Sequence, residues 1–123
     1  MAGYDVIIVG NGPAGLSAAL YTSRANLKTL VIGKDQGALA KAERIENYFG
    51  MAEPVSGCEL VENTKQQAKS LGAALVTDEI FHISWSQGFV LEGREGTYQA
   101  VSVLLATGSS RKKADIKGLA ELE

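Results

Sequence analysis

The sequence predicts an α/β domain, a parallel sheet covered by helices with a three-stranded antiparallel β layer added to it. An apolar, β-branched run, Tyr4-Asp5-Val6-Ile7-Ile8-Val9, leads directly into Gly10-Asn11-Gly12-Pro13-Ala14-Gly15. A second run, Lys28-Thr29-Leu30-Val31-Ile32, completes a βαβ unit in about 30 residues. Further on, residues 78–100 break into short apolar pieces separated by glycine turns.

Taken in order, the first run has the pattern of a strand buried on both faces. Pro13 falls where a first helical position would, with its fixed φ and missing N–H suited to that place. The helix is expected over residues 13–25, with a face of small side chains, Ala14, Gly15, Ala18 and Ala19, to lie close on the sheet. The second strand follows at 28–32. From Gly33 to Gly57 there is no helical or strand period, and loops of that length in compact domains are commonly binding loops. Ser56-Gly57-Cys58-Glu59 is a capping box that opens a helix over 58–71, with Leu60, Val61, Thr64, Ala68 and Leu71 facing inward and Gly72 ending it. A short strand is expected at 74–76. Glu79–Trp85 and Phe89–Glu92 read as antiparallel strands, with turns at Gln87-Gly88 and Gly93–Gly96. Thr97–Val101 continues into a final buried strand at 102–106, closed by Thr107-Gly108.

Composition excludes several classes of function. The chain has 123 residues, 12 basic and 14 acidic, for a net charge of −2. That balance offers no electrostatic attraction for nucleic acid or an acidic membrane. No apolar run reaches the ~18 to 20 residues of a membrane span, and the N-terminus lacks a signal-peptide pattern. With one cysteine there is no internal disulfide, so a cytoplasmic location is expected.

The glycines carry the chemistry. In a strand–turn–helix context, Gly10 permits the tight turn, Gly12 lets the backbone approach a pyrophosphate, and Gly15 brings helix and strand together. The phosphates then sit on the helix N-terminus, where unpaired N–H groups and the dipole favour negative charge. The motif points to a dinucleotide without saying which. Asp35, 20 residues after Gly15, is either a ribose ligand or a solvated loop carboxylate. Lys34 is either a 2′-phosphate contact or an exposed loop lysine.

Three motifs in this order resemble the FAD domain of the low-molecular-weight thioredoxin reductases, within the pyridine nucleotide-disulfide oxidoreductase superfamily: Val6–Leu16, Ile45-Glu46-Asn47 and Val103–Gly108. Tyr21–Leu27 also looks like the ending of that family's first helix. The resemblance implies a Rossmann-like FAD-binding domain. It places Gly10, Gly12, Pro13, Ala14 and Gly15 at the pyrophosphate, and Gly33, Lys34 and Asp35 at the ribose and adenosine. Gly37 and Ala38 fall in the following loop, and Asn47 near the flavin. Glu79 and Ile80 take the place of a main-chain contact to adenine, and Ala106, Thr107 and Gly108 that of the turn that closes over the cofactor.

It further implies a parent oxidoreductase passing electrons from a reduced nicotinamide, or another donor, through FAD to a disulfide. A thioredoxin-like partner and a homodimer go with that reading.

Two departures qualify the resemblance. Family members often have Gly-Gly-Gln-Leu after the second strand, whereas this chain has Gly37-Ala38-Leu39, which puts flavin contacts from that loop in doubt. The family also carries an inserted domain with the NADPH or NADH site and a Cys-x-x-Cys pair, and a C-terminal return to the FAD domain. Residues 1–123 are therefore expected to be the N-terminal segment of an FAD-binding domain, a fragment inactive by itself. The alternative is a stand-alone, non-catalytic FAD- or ADP-binding module. Cys58, in the first turn of a helix, reads as a helix-start residue or a reactive thiol. His82 reads as a strand residue or a catalytic base, with Glu79 the nearest carboxylate in sequence. No catalytic or metal-binding residue is assigned.

Overall fold

The structure, a computed structural model, describes residues 3–35, 37 and 39–109. Strand β1 (Tyr4–Val9) is followed by helix α1 (Pro13–Arg24), β2 (Thr29–Gly33), a 3₁₀ turn (Leu39–Lys41), α2 (Gly57–Ser70) and β3 (Ala74–Thr77). Then come β4 (Ile80–Trp85), β5 (Phe89–Gly93) and β6 (Thr97–Leu105). The strands form one six-stranded sheet in the order β3-β2-β1-β6-β5-β4. β1 pairs in parallel with β2 and β6, and β2 with β3. β4, β5 and β6 pair antiparallel.

β6 joins the two halves. Its first residues, Thr97–Ala100, pair with β5, and its later residues, Ser102–Leu105, pair with β1. The antiparallel layer expected at 78–100 is thus continuous with the parallel sheet.

Alternation along β1 and β2 divides the core in two. Val6, Ile8 and Val31 face the helices and pack with Leu16, Ala19 and Val61. Ile7, Leu30 and Ile32 face the other way and pack with Leu91 and Ala100, flanked by Ile80, Ile83 and Phe89. The antiparallel strands therefore cover the sheet face that the helices leave open. All of β2 is buried, as strands covered on both faces require.

Four expectations need correction. Of the small face expected on α1, Gly15 and Ala19 are buried and Ala18 packs beside them, but Ala14 is exposed, and Leu16 and Ser23 complete the packed face. On α2 the buried positions are Gly57, Val61 and Ala68, while Leu71, at the C-cap, is 36% exposed. The segment 33–57 is not without structure: it holds the 3₁₀ turn and an isolated bridge between Ile45 and Val55, both too short to produce a sequence period. Finally, the last strand is not buried. Val101, Leu104 and Leu105 are 72%, 40% and 65% exposed, while Val103 between them packs partly against the second core cluster.

Local rules explain the helix ends. Ser56 Oγ accepts the Glu59 N–H at 3.1 Å, the N-cap half of the expected box. Ser56→Ala should cost about 1 kcal/mol, measured by urea unfolding. At the other end, Gly72 has φ 105°, a left-handed conformation that glycine adopts freely.

The β3–β4 and β5–β6 turns are tied together by one buried carboxylate. Asp78 accepts from the N–H groups of Glu79 (2.7 Å) and Glu95 (3.1 Å) and from the Tyr98 hydroxyl (2.7 Å). Burial alone would raise its pKa. The hydrogen bonds from Tyr98 and from the Glu95, Glu79 and Arg94 amides outweigh burial and hold it below the ordinary 3.8. Burial, then the same hydrogen bond, pushes the Tyr98 hydroxyl up to about 12.

A depressed carboxylate stabilises the fold above its unfolded pKa, and that contribution is lost as pH falls through the folded value. Asp78→Asn should therefore be less stable than the parent at pH 7. The difference should close below pH 3.8, as read from unfolding midpoints across pH.

Candidate dinucleotide-binding site

All four parallel strands end at one edge, and the glycine turn lies there. Gly10 N–H donates to the Ile32 carbonyl at 2.7 Å, Ala106 N–H to the Val9 carbonyl at 2.8 Å, and Asp78 N–H to the Gly33 carbonyl at 3.0 Å. The ends of β1, β2, β3 and β6 are thereby stitched side by side. This is the carboxyl edge, where open α/β sheets bind ligands.

The glycines of the turn have separate reasons to be glycine. Gly10 has φ 122°, and a Cβ on it would overlap the Ala106 carbonyl oxygen. It is held by conformation and by the neighbouring Ala106 turn. A Cβ on Gly15 would overlap the Gly10 carbonyl oxygen and lie 3.2 Å from Ile8 Cγ2, so this residue sets how closely α1 approaches β1.

Gly12 has neither reason. Its φ of −81° and ψ of −168° are extended backbone open to any residue, and no heavy atom lies within 4 Å of a Cβ placed there. Among the described glycines no other combines an ordinary φ with empty space. The fold does not require glycine at this position, whereas a ligand approaching the backbone would.

Gly12 is also the N-cap of α1, and no side chain caps that helix. First-turn amides have no intrahelical acceptor, and Pro13 has no N–H. The amides of Ala14 and Gly15 have no acceptor within the helix, and the dipole behind them favours negative charge there.

The remaining residues are distributed around this turn unevenly. Gly33 ends β2, while Lys34 and Asp35 are exposed just beyond it. Asp35 Oδ1 accepts the Gly37 N–H at 2.8 Å, so one carboxylate oxygen is engaged within the loop. Ala38 lies outside the described residues. Asn47 is exposed two residues beyond the Ile45–Val55 bridge and makes no side-chain hydrogen bond among the described residues.

Glu79 and Ile80 follow Asp78 at the end of β3. The Glu79 N–H donates to Asp78 and its carbonyl accepts from the Arg94 N–H at 3.2 Å. Ala106 packs on the helix-side core, Thr107 is exposed, and Gly108 has φ 68°. The structure thus gathers Gly10, Gly12–Gly15, Gly33 and Ala106 into one edge, and leaves Asn47 on a separate loop.

Sequence reasoning missed Asn11. A Cβ on Gly33 would overlap its amide, so Asn11 fills the space at the end of β2. The only available signal was its place inside the turn. Cys58 is exposed and unpaired. His82 is exposed, and its nearest carboxylate is Glu92 across the strand at 4.0 Å, not Glu79. No group of His, Cys, Asp and Glu among the described residues is arranged to hold a metal. No described helix is long and apolar enough to cross a membrane.

This fold and edge define an α/β dinucleotide-binding domain. The pyridine nucleotide-disulphide oxidoreductase family model matches residues 4–123, and the chain belongs to that family. It is 48% identical over 121 residues to a thioredoxin reductase of Treponema pallidum, covering 96% of this chain and 39% of that protein. A thioredoxin reductase of Aquifex aeolicus is 39% identical over 121 residues, 94% of this chain and 37% of the relative.

Among solved structures, a thioredoxin reductase from Gloeobacter violaceus superposes with a TM-score of 0.86 at 36% identity, covering 97% of this chain and 39% of the other. The chain therefore spans somewhat more than a third of the length of these relatives, and its Rossmann-like architecture is theirs.

Proposed function

We propose that this chain binds FAD, with the pyrophosphate on the Gly10–Gly15 turn, as the FAD-binding part of a thioredoxin-reductase-like oxidoreductase. The observation that carries the reading is Gly12, a glycine that neither backbone nor packing demands. In this reading Gly12, Ala14 and Gly15 bring backbone against the phosphates, and Pro13 sets the first turn of α1. Gly33, Lys34 and Asp35 lie toward the ribose, and Glu79 and Ile80 toward the adenine. Gly37 falls in the loop that follows β2, Asn47 lies on the flavin side, and Ala106, Thr107 and Gly108 close the turn.

When bound, the flavin would accept electrons from a reduced nicotinamide, NADPH or NADH, and deliver them to a disulfide. The chain's own share is to bind and orient. Its single cysteine excludes a dithiol among these residues, since a redox pair needs two thiols. A thioredoxin-like protein as acceptor, a homodimeric assembly and a cytoplasmic location belong to the same proposal. The thioredoxin-like acceptor is supported by the relatives' being thioredoxin reductases by name. The same names disfavour a stand-alone nucleotide module.

A flavin titration beside a disulfide-reduction assay with NADPH tests this. The expected result is flavin binding by the 123-residue chain without turnover. Absence of flavin binding would remove the proposal, and turnover would contradict the reading that these residues only bind and orient the flavin.

A further inference from the structure

Dinucleotide-binding α/β domains generally present a carboxylate to the adenosine ribose from just beyond their second strand. Here β2 ends in Gly33, which has no side chain to present. The space beside it is nevertheless filled. A Cβ on Gly33 would overlap Cγ and Nδ2 of Asn11 and lie 2.6 Å from its Oδ1.

Asn11 immediately precedes Gly12, so its amide reaches from the end of β1 across to the end of β2. It is partly exposed and also borders a groove of about 230 Å³ whose polar lining is Glu62, Lys65, Lys69 and Thr77. Its side chain makes no hydrogen bond among the described residues, leaving two donors and an acceptor free. The next acidic residue along the chain, Asp35, already commits one oxygen to the Gly37 N–H.

We propose that the Asn11 amide is the polar group that meets the adenosine ribose, in the place that a carboxylate at position 33 would otherwise take. The proposal rests on the dinucleotide reading above and names the ribose contact within it. An amide both donates and accepts, so it pairs with a hydroxyl without setting a negative charge beside the pyrophosphate. Asn11 and Gly33 are then a matched pair. A side chain at 33 expels the amide, and glycine at 33 is what allows asparagine at 11.

The test compares ADP with 2′-deoxy-ADP by calorimetric titration of the full chain. One neutral hydrogen bond is worth roughly 0.5 to 1.5 kcal/mol, or about two- to tenfold in affinity. The parent should prefer ADP by that factor, Asn11→Ala should lose the preference, and Asn11→Gly combined with Gly33→Asp should regain it. The Asn11 side-chain NH₂ signals of the parent should shift with ADP and shift less with the deoxy nucleotide, a readout that needs no variant to fold.

Equal binding of the two nucleotides by the parent, or an undiminished preference in Asn11→Ala, would overturn the assignment. Failure of the parent to bind ADP at all would overturn the dinucleotide reading, and this inference with it.

Discussion

Gly12→Val should fold as the parent does and lose FAD. Position 12 has an ordinary extended backbone and open space beyond its Cβ, so the cost to the fold is limited to valine in place of glycine at the N-cap of α1, about 1 kcal/mol. Binding is another matter. The valine side chain would occupy the space through which a phosphate reaches the α1 amides. Two or three hydrogen bonds to a charged group are worth roughly 1.5 to 3 kcal/mol each. At about 1.4 kcal/mol per decade, FAD affinity should fall by two orders of magnitude or more. Flavin titration and thermal unfolding of the same preparation measure both quantities.

Gly15→Val should do the reverse and damage the fold itself. Its Cβ would overlap the Gly10 carbonyl oxygen, a backbone atom that cannot rotate aside. Either α1 lifts from β1 or the Gly10 turn opens. Lifting the helix exposes the cluster of Ile8, Leu16, Ala19, Val31 and Val61, in which a fully buried aliphatic side chain is worth about 1.5 to 3 kcal/mol. Overpacking of this kind costs ~3 kcal/mol, on the order of 10 °C in unfolding midpoint. The two variants, three residues apart in one motif, separate the glycine kept for a ligand from the glycine kept for packing.

The turn and its flanking elements were legible because each obeys a local rule. A β-branched run, a proline at the first helical position and a second apolar run at the right distance together leave few alternatives. The capping serine at 56 and the terminating glycine at 72 are local in the same sense.

What was not legible depends on residues far apart in the chain. Asp78 looks like a turn residue until Glu95 and Tyr98 are brought to it. Leu104 and Leu105 look like core, because hydropathy records a side chain's preference and not whether anything covers it. His82 has Glu92 opposite it only through strand pairing. Asn11 occupies a variable position of its motif, and its significance appears only when the end of β2 proves to be a glycine. Local chemistry marked the glycine turn, and tertiary pairing was needed for the rest of the edge.

The central claim is that the dinucleotide lies on the carboxyl edge, at the Gly10–Gly15 turn. The most direct measurement is a ¹H–¹⁵N correlation titration of the chain with FAD. The expected shifts fall on Gly10, Asn11, Gly12, Ala14, Gly15, Gly33 and Ala106. At the opposite end of β1 lies a second groove, of about 270 Å³, bordered by Gly3, Asp5, Gln87, Gln99 and Val101. Shifts concentrated there, with the glycine turn unmoved, would contradict the account.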